Sequence, residues 1–127
     1  MTVYDCWLEY NENGVPSSGN LSNLTDGYYL FANNTNTSFT TFDSSFGNLN
    51  KLIDGTRMFS NCTNLTSFSG DLSSLENGTR MFYNTKISKF EQQLPMLSNG
   101  DGMFYNCSEL SSFSVNLPNL TNGRDMF

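Results

Sequence analysis

Asn77-Gly78-Thr79-Arg80-Met81-Phe82-Tyr83-Asn84 decides the fold, because versions of it return wherever the sequence starts over. The same slot reads Asp26-Gly27-Tyr28-Tyr29-Leu30-Phe31, Asp54-Gly55-Thr56-Arg57-Met58-Phe59, Asn99-Gly100-Asp101-Gly102-Met103-Phe104 and Asn122-Gly123-Arg124-Asp125-Met126-Phe127. These glycines lie 28, 23, 22 and 23 residues apart. A period in the twenties is what a stack of repeats shows, each unit burying its apolar face against its neighbours.

Outward from this slot, each unit carries a second apolar station of the form L-x-x-F. It reads Phe39 to Phe42 in the first unit, Leu65 to Phe68, Ile87 to Phe90 and Leu110 to Phe113, and its period of two around the Phe predicts a short strand. A third station follows at Leu72 and Leu75, Leu94 and Leu97, Leu117 and Leu120. Three stations on one coil enclose a core. Asn-Gly and Asp-Gly are expected to make the tight turn, with positive φ at the Gly, and Arg80 to be solvated. Burial of such side chains, at roughly 1.5–3 kcal/mol each, accounts for the repetition without a ligand.

Residues 1–26 read as an N-terminal cap leading into the first repeat. Tyr4, Trp7, Leu8 and Tyr10 suggest an aromatic strand, with turn chemistry at Asn13-Gly14, Pro16 and Gly19. Residues 27–127 read as a solenoid of about four units. The first is long by about five residues, with the surplus in Asn33 to Ser38 and around Asn48 to Leu52, and such a bulge is a candidate for something other than stacking. The chain stops in mid-motif, so a further unit is expected in a parent protein; the exposed apolar rung would suit homodimerisation.

Net charge is −6, from 12 acidic and 6 scattered basic residues, which argues against nucleic acid and anionic membrane as partners. No apolar run approaches the roughly 20 residues of a membrane span, and Met1 to Asp5 do not resemble a signal peptide. Cys62 and Cys107 share one repeat slot. At strand spacing of about 4.8 Å, two rungs separate them by roughly 10 Å, beyond the Cα reach of about 7 Å for a disulfide. Both read as buried small apolar residues, and Thr85 holds the slot between them.

The unit Met-Phe-x-Asn-Cys-x-x-Leu-x-x-Phe…Leu-x-x-Leu-x-Asn-Gly-x-x-Met-Phe resembles the BspA-type leucine-rich repeats of bacterial, phage and parasite surface proteins, over about Leu21 to Phe127. The resemblance implies a right-handed leucine-rich-repeat solenoid, α/β-type or mainly-β, with one short parallel strand per 22–23-residue repeat. It also implies surface display or adhesion, on a cell surface or a phage virion. Departures are the long first unit, Thr85 in the Cys slot and a one-residue deletion between Asn84 and Ile87.

Chemistry is sparse. There is no histidine, and neither G-x-S-x-G nor S-x-x-K occurs, so no catalytic residue is assigned. Asp43, Asp71 and Glu91 on one strand face would be the carboxylates of a glycoside hydrolase, though a solvated acidic face explains them as well. No calcium loop, metal set, phosphate cradle or cofactor motif is present. Nine N-x-[ST] sequons occur, as a chain so rich in Asn, Ser and Thr generates by chance.

The outward strand face is therefore the expected binding surface: Asp43, Ser69, Asp71, Lys89, Glu91, Gln93, Ser114 and Asn116. The expected function is a non-enzymatic interaction or adhesion module taking a protein or surface glycan. A structural spacer is the alternative, and a carbohydrate-active enzyme a more remote one.

Overall fold

A computed structural model of the chain describes residues 6–127. Its strands are β1 Trp7–Tyr10, β2 Pro16–Asn20, β3 Thr41–Phe42, β4 Ser67–Phe68, β5 Lys89–Phe90 and β6 Ser112–Phe113, with one 3-10 turn at Ser44–Phe46. No α-helix occurs among the described residues, so the α/β alternative gives way to short strands and turns. The reason is length. Each Leu-x-x-Leu segment makes a single i→i+3 turn, as in Leu75 N–H to Leu72 O at 3.1 Å, too short to nucleate a helix.

Consecutive repeats are stitched together at the Asx-Gly slot. Parallel bridges link Asp26 to Asp54, Asp54 to Asn77, Asn77 to Asn99, and Asn99 to Asn122. Between the second and third rungs, Gly55, Arg57, Phe59 and Asn61 donate their N–H groups to the carbonyls of Asn77, Thr79, Met81 and Tyr83 at 2.8–2.9 Å. The alternate amides bond within the rung, Met58 to Gly55 at 3.0 Å and Ser60 to Arg57 at 3.1 Å. The remaining amide, Thr56, reaches Asp54 Oδ1 at 2.9 Å. Every backbone donor from Gly55 to Asn61 is thereby satisfied, which a buried wall of turns requires.

This geometry corrects the expected role of the glycine. Positive φ falls two residues later, on Tyr29, Arg57, Arg80, Gly102 and Asp125, and again on Asn33, Asn61, Asn84 and Asn106. Gly27, Gly55, Gly78, Gly100 and Gly123 are outside that region. Space is what the inner ones supply: a Cβ at Gly27, Gly55 or Gly78 would lie 2.7, 2.7 or 2.8 Å from the sulfur of the next rung's Met58, Met81 or Met103. The preceding Asn or Asp caps the turn, as Asn77 Oδ1 does for Thr79 N at 3.0 Å and Asn99 Oδ1 for Asp101 N at 3.0 Å.

The core is two columns of phenylalanine. Phe31, Phe59, Phe82, Phe104 and Phe127 stack at centroid spacings of 5.3, 5.5, 5.4 and 5.9 Å. Phe42, Phe68, Phe90 and Phe113 stack at 5.6, 6.2 and 5.9 Å. Rings of one column meet those of the other edge-on, as Phe68 meets Phe82 at 4.9 Å and 69°. Both offset-stacked and edge-to-face pairs suit the ring quadrupole. Met58, Met81, Leu65, Ile87, Leu75 and Leu97 are fully buried around them, so all three expected stations face the core.

The strand ladder is less continuous than the Asx-Gly wall. β3 pairs in parallel with β4 and β5 with β6, but β4 and β5 are not joined. The gap coincides with the one-residue deletion before Ile87: the shortened approach sends Lys86 N–H to Leu65 O at 2.9 Å, ahead of the strand. Ile87 and Phe90 remain fully buried, so the deletion interrupts the sheet and spares the core.

β1 and β2 form an antiparallel hairpin in the register Leu8 to Gly19, bulged between Glu9 and Tyr10. Tyr4, expected in the first strand, lies outside the described residues. The surplus of the first unit serves this hairpin. Asn34 and Asn36 donate their side-chain amides to Gly14 O at 3.1 Å and Asn13 O at 2.7 Å, and Leu21 N–H reaches Phe46 O at 2.7 Å. The long unit is thus occupied in docking the N-terminal segment.

Candidate binding surfaces

All eight strand-face candidates, Asp43, Ser69, Asp71, Lys89, Glu91, Gln93, Ser114 and Asn116, are exposed. The pairing of Thr41 with Ser67 and of Lys89 with Ser112 puts Asp43 beside Ser69, and Glu91 beside Ser114, two positions further along. The gap between β4 and β5 divides the face into two patches.

Two of the acids have local work. Asp43 Oδ1 accepts from Ser45 N at 2.9 Å and Ser45 Oγ at 2.5 Å, capping the 3-10 turn, and these bonds hold its carboxyl below the usual aspartate range. Asp71 Oδ1 accepts from Ser73 N at 2.9 Å. Lys89 Nζ and Glu91 Oε1 lie 3.4 Å apart, both well exposed. Among the described residues no group of three or more His, Cys, Asp or Glu gathers to hold a metal ion.

The Asx-Gly wall presents a second surface. Tyr83 and Tyr105 occupy one slot on successive rungs and stack face to face at 5.8 Å and 4°. Arg80 is exposed, as expected, with its guanidinium 5.6 Å from the centre of the Tyr83 ring, and Arg57 sits 5.5 Å over Tyr29. Arg80, Tyr83, Asp101, Gly102, Tyr105 and Asp125 line a cleft of about 210 Å³. The signal in the sequence is the recurrence of Tyr directly after the Met-Phe pair in two units, away from the strand face.

An asparagine ladder also joins the rungs, partly exposed along its length. Asn61 Nδ2 donates to Asn33 Oδ1 at 2.9 Å, Asn84 to Asn61 at 3.0 Å and Asn106 to Asn84 at 3.0 Å. Three sequons, at Asn33, Asn61 and Asn106, are therefore members of the ladder. Asn also tolerates the left-handed backbone that this slot requires.

The cysteine slot is structural. Cys62 Sγ donates to Phe31 O at 3.1 Å and Cys107 Sγ to Phe82 O at 3.0 Å, with Thr85 Oγ1 3.4 Å from Cys107 Sγ. Burial pushes the Cys62 thiol up to about 12 and raises that of Cys107. Cys62 and Cys107 form no disulfide. At the far end of the stack a second cleft of about 230 Å³ opens between Phe104, Cys107, Leu110 and Phe127, where Phe127 is 63% exposed.

No helix among the described residues is long and apolar enough to cross a membrane. Neither a curated protein nor a solved structure matches the chain significantly. A model of the BspA type leucine rich repeat region does match, in six copies over residues 25–127. Given that match, and the repeat-to-repeat bonding of the same segment, the chain belongs to the BspA-type leucine rich repeat family.

Proposed function

We propose that the chain is a non-enzymatic protein-interaction module that binds through its outward strand face, within a surface-displayed bacterial or phage protein. The repeats would wind as a right-handed solenoid, with adhesion as the working context. The observation that carries this reading is the patch around β5 and β6. Lys89, Glu91, Gln93, Ser114 and Asn116 are exposed there in fixed register, beside a fully buried Phe90 and a half-buried Phe113. Side chains without a packing role, held at repeat spacing, are what an extended protein partner reads. Leucine-rich repeat membership supports an interaction role, while the occupied carboxylates of Asp43 and Asp71 weaken the glycosidase alternative.

The test is a binding screen against an arrayed panel of soluble proteins with the wild type, Lys89→Glu and Glu91→Lys. Partner binding should be lost in both variants with unchanged melting temperature, because an exposed pair contributes only about 0–1 kcal/mol to stability. Indifference of every bound partner to both substitutions would favour a spacer. The exposed Phe127 and half-buried Phe113, Leu117 and Leu120 also favour self-association through the last rung. Sedimentation showing only monomer at high concentration would contradict that part.

A further inference from the structure

Gly102 interrupts a column of side chains. Tyr29, Arg57, Arg80, Gly102 and Asp125 occupy one position on successive rungs, with φ of 57, 55, 50, 62 and 49°. Four of the five carry a side chain at that backbone angle, so the angle does not demand glycine here. What glycine leaves is room, and the cleft of about 210 Å³ is the result. Its base is the buried Gly102. Arg80 leans over it, with Cγ 3.0 Å from where a Cβ would stand, and Tyr83, Tyr105, Asp101 and Asp125 complete the lining.

We propose that this cleft is a binding site for one neutral hexose ring of a glycan, separate from the strand face and independent of it. The lining carries both signs of charge, Arg80 against Asp101 and Asp125, the last also 3.6 Å from the Arg124 guanidinium, so donors and acceptors stand on one small cleft. A neutral polyol uses both signs: its hydroxyls donate to the carboxylates and accept from the guanidinium. The Tyr105 ring, 46% exposed and kept parallel to Tyr83, offers an apolar face for the C–H side of a sugar. The volume suits one ring and not an extended drug-sized ligand, for which about 300 Å³ or more is usual. Position and orientation come from the rung: Arg80 N–H bonds Asp101 O at 2.9 Å and Gly102 N–H bonds Arg124 O at 2.9 Å, so the lining sits on the hydrogen-bonded wall.

Saturation-transfer NMR on the whole chain tests this, with the methyl glycosides of glucose, galactose, mannose and N-acetylglucosamine as probes at millimolar concentration. Gly102→Arg refills the column with the residue that Arg57 and Arg80 already place there, and Tyr105→Ala removes the apolar face; a thermal melt confirms that each is folded. Transfer to the ring protons of at least one glycoside is expected in the wild type, falling at least tenfold in both variants. Three results would overturn the proposal: no transfer to any of the four glycosides, transfer that both variants retain, or tighter binding of N-acetyl-argininamide or inorganic sulfate than of every glycoside.

Discussion

Gly78→Ala isolates the reason for the recurrent glycine. The position lies outside the left-handed region, so backbone strain plays no part. Restricting the unfolded chain would by itself stabilise the protein by about 0.4–1 kcal/mol. Against this, the new methyl would stand 2.8 Å from Met103 Sδ, 3.2 Å from its Cε and 3.3 Å from Leu97 Cδ1. Met103 and Leu97 are fully buried, so neither can swing into solvent. Overpacking of this kind costs about 1–3 kcal/mol, and the net expectation is a loss of about 1–2 kcal/mol, a fall in Tm of several degrees.

Gly100→Ala is the internal control. Its methyl would meet Met126 Sδ only at 3.3 Å and Leu120 Cδ1 at 3.4 Å, so it should lie within about 0.5 kcal/mol of the wild type. Urea unfolding followed by intrinsic fluorescence measures both, and Met103→Ala in the Gly78→Ala background should show coupling, since it empties the contested space. Equal losses at Gly78 and Gly100, or a gain at Gly78, would refute the close-approach explanation.

Asn84→Ala removes a donor to Asn61 and an acceptor for Asn106 at φ of 56°, and should cost about 2–3 kcal/mol, with Asn84→Gly recovering only the backbone share; both are read by urea unfolding. Phe82→Ala, beneath rings from two columns and four neighbours, should lose about 3–5 kcal/mol, and Phe127→Ala far less. Ser60→Ala should stabilise the chain by about 1 kcal/mol, because the Ser60 hydroxyl is buried without a partner, and a lower Tm would contradict that. Cys62 should resist iodoacetamide at pH 8 as judged by mass spectrometry. Its raised thiol pKa also means that stability is complete below the unfolded value near 9 and falls as pH rises from there through about 12.

Much of the architecture was readable because apolar side chains must recur in register to meet across rungs. Met58, Phe59, Leu65, Phe68, Leu72 and Leu75 sit where the repeat alignment puts them. Asn-Gly is a common positive-φ pair and so suggests a turn role for Gly78; its true constraint is a methionine 25 residues later, which no local rule contains. The asparagine ladder was visible only as repeated Asn, since its amides depend on the inter-rung spacing. The surplus holding Asn34 and Asn36 reads as a bulge with work other than stacking, but what that work is depends on hairpin carbonyls 20 and 23 residues away. The strand-face candidates were legible as outward residues, but the local duties of Asp43 and Asp71 arise from turns that follow them. The Tyr83 and Tyr105 surface carries no period-two signal, because it is built on turns and not on the strand.

The central claim is that successive repeats are joined by backbone hydrogen bonds along the Asx-Gly wall. Trans-hydrogen-bond scalar couplings, measured by long-range NMR on isotope-labelled protein, observe those bonds one at a time. Couplings are predicted from the amide nitrogens of Gly55, Arg57, Phe59 and Asn61 to the carbonyl carbons of Asn77, Thr79, Met81 and Tyr83, with the matching set from Gly78, Arg80, Phe82 and Asn84 to Asn99, Asp101, Met103 and Tyr105. Couplings confined to residues three or four apart in sequence would contradict the stack.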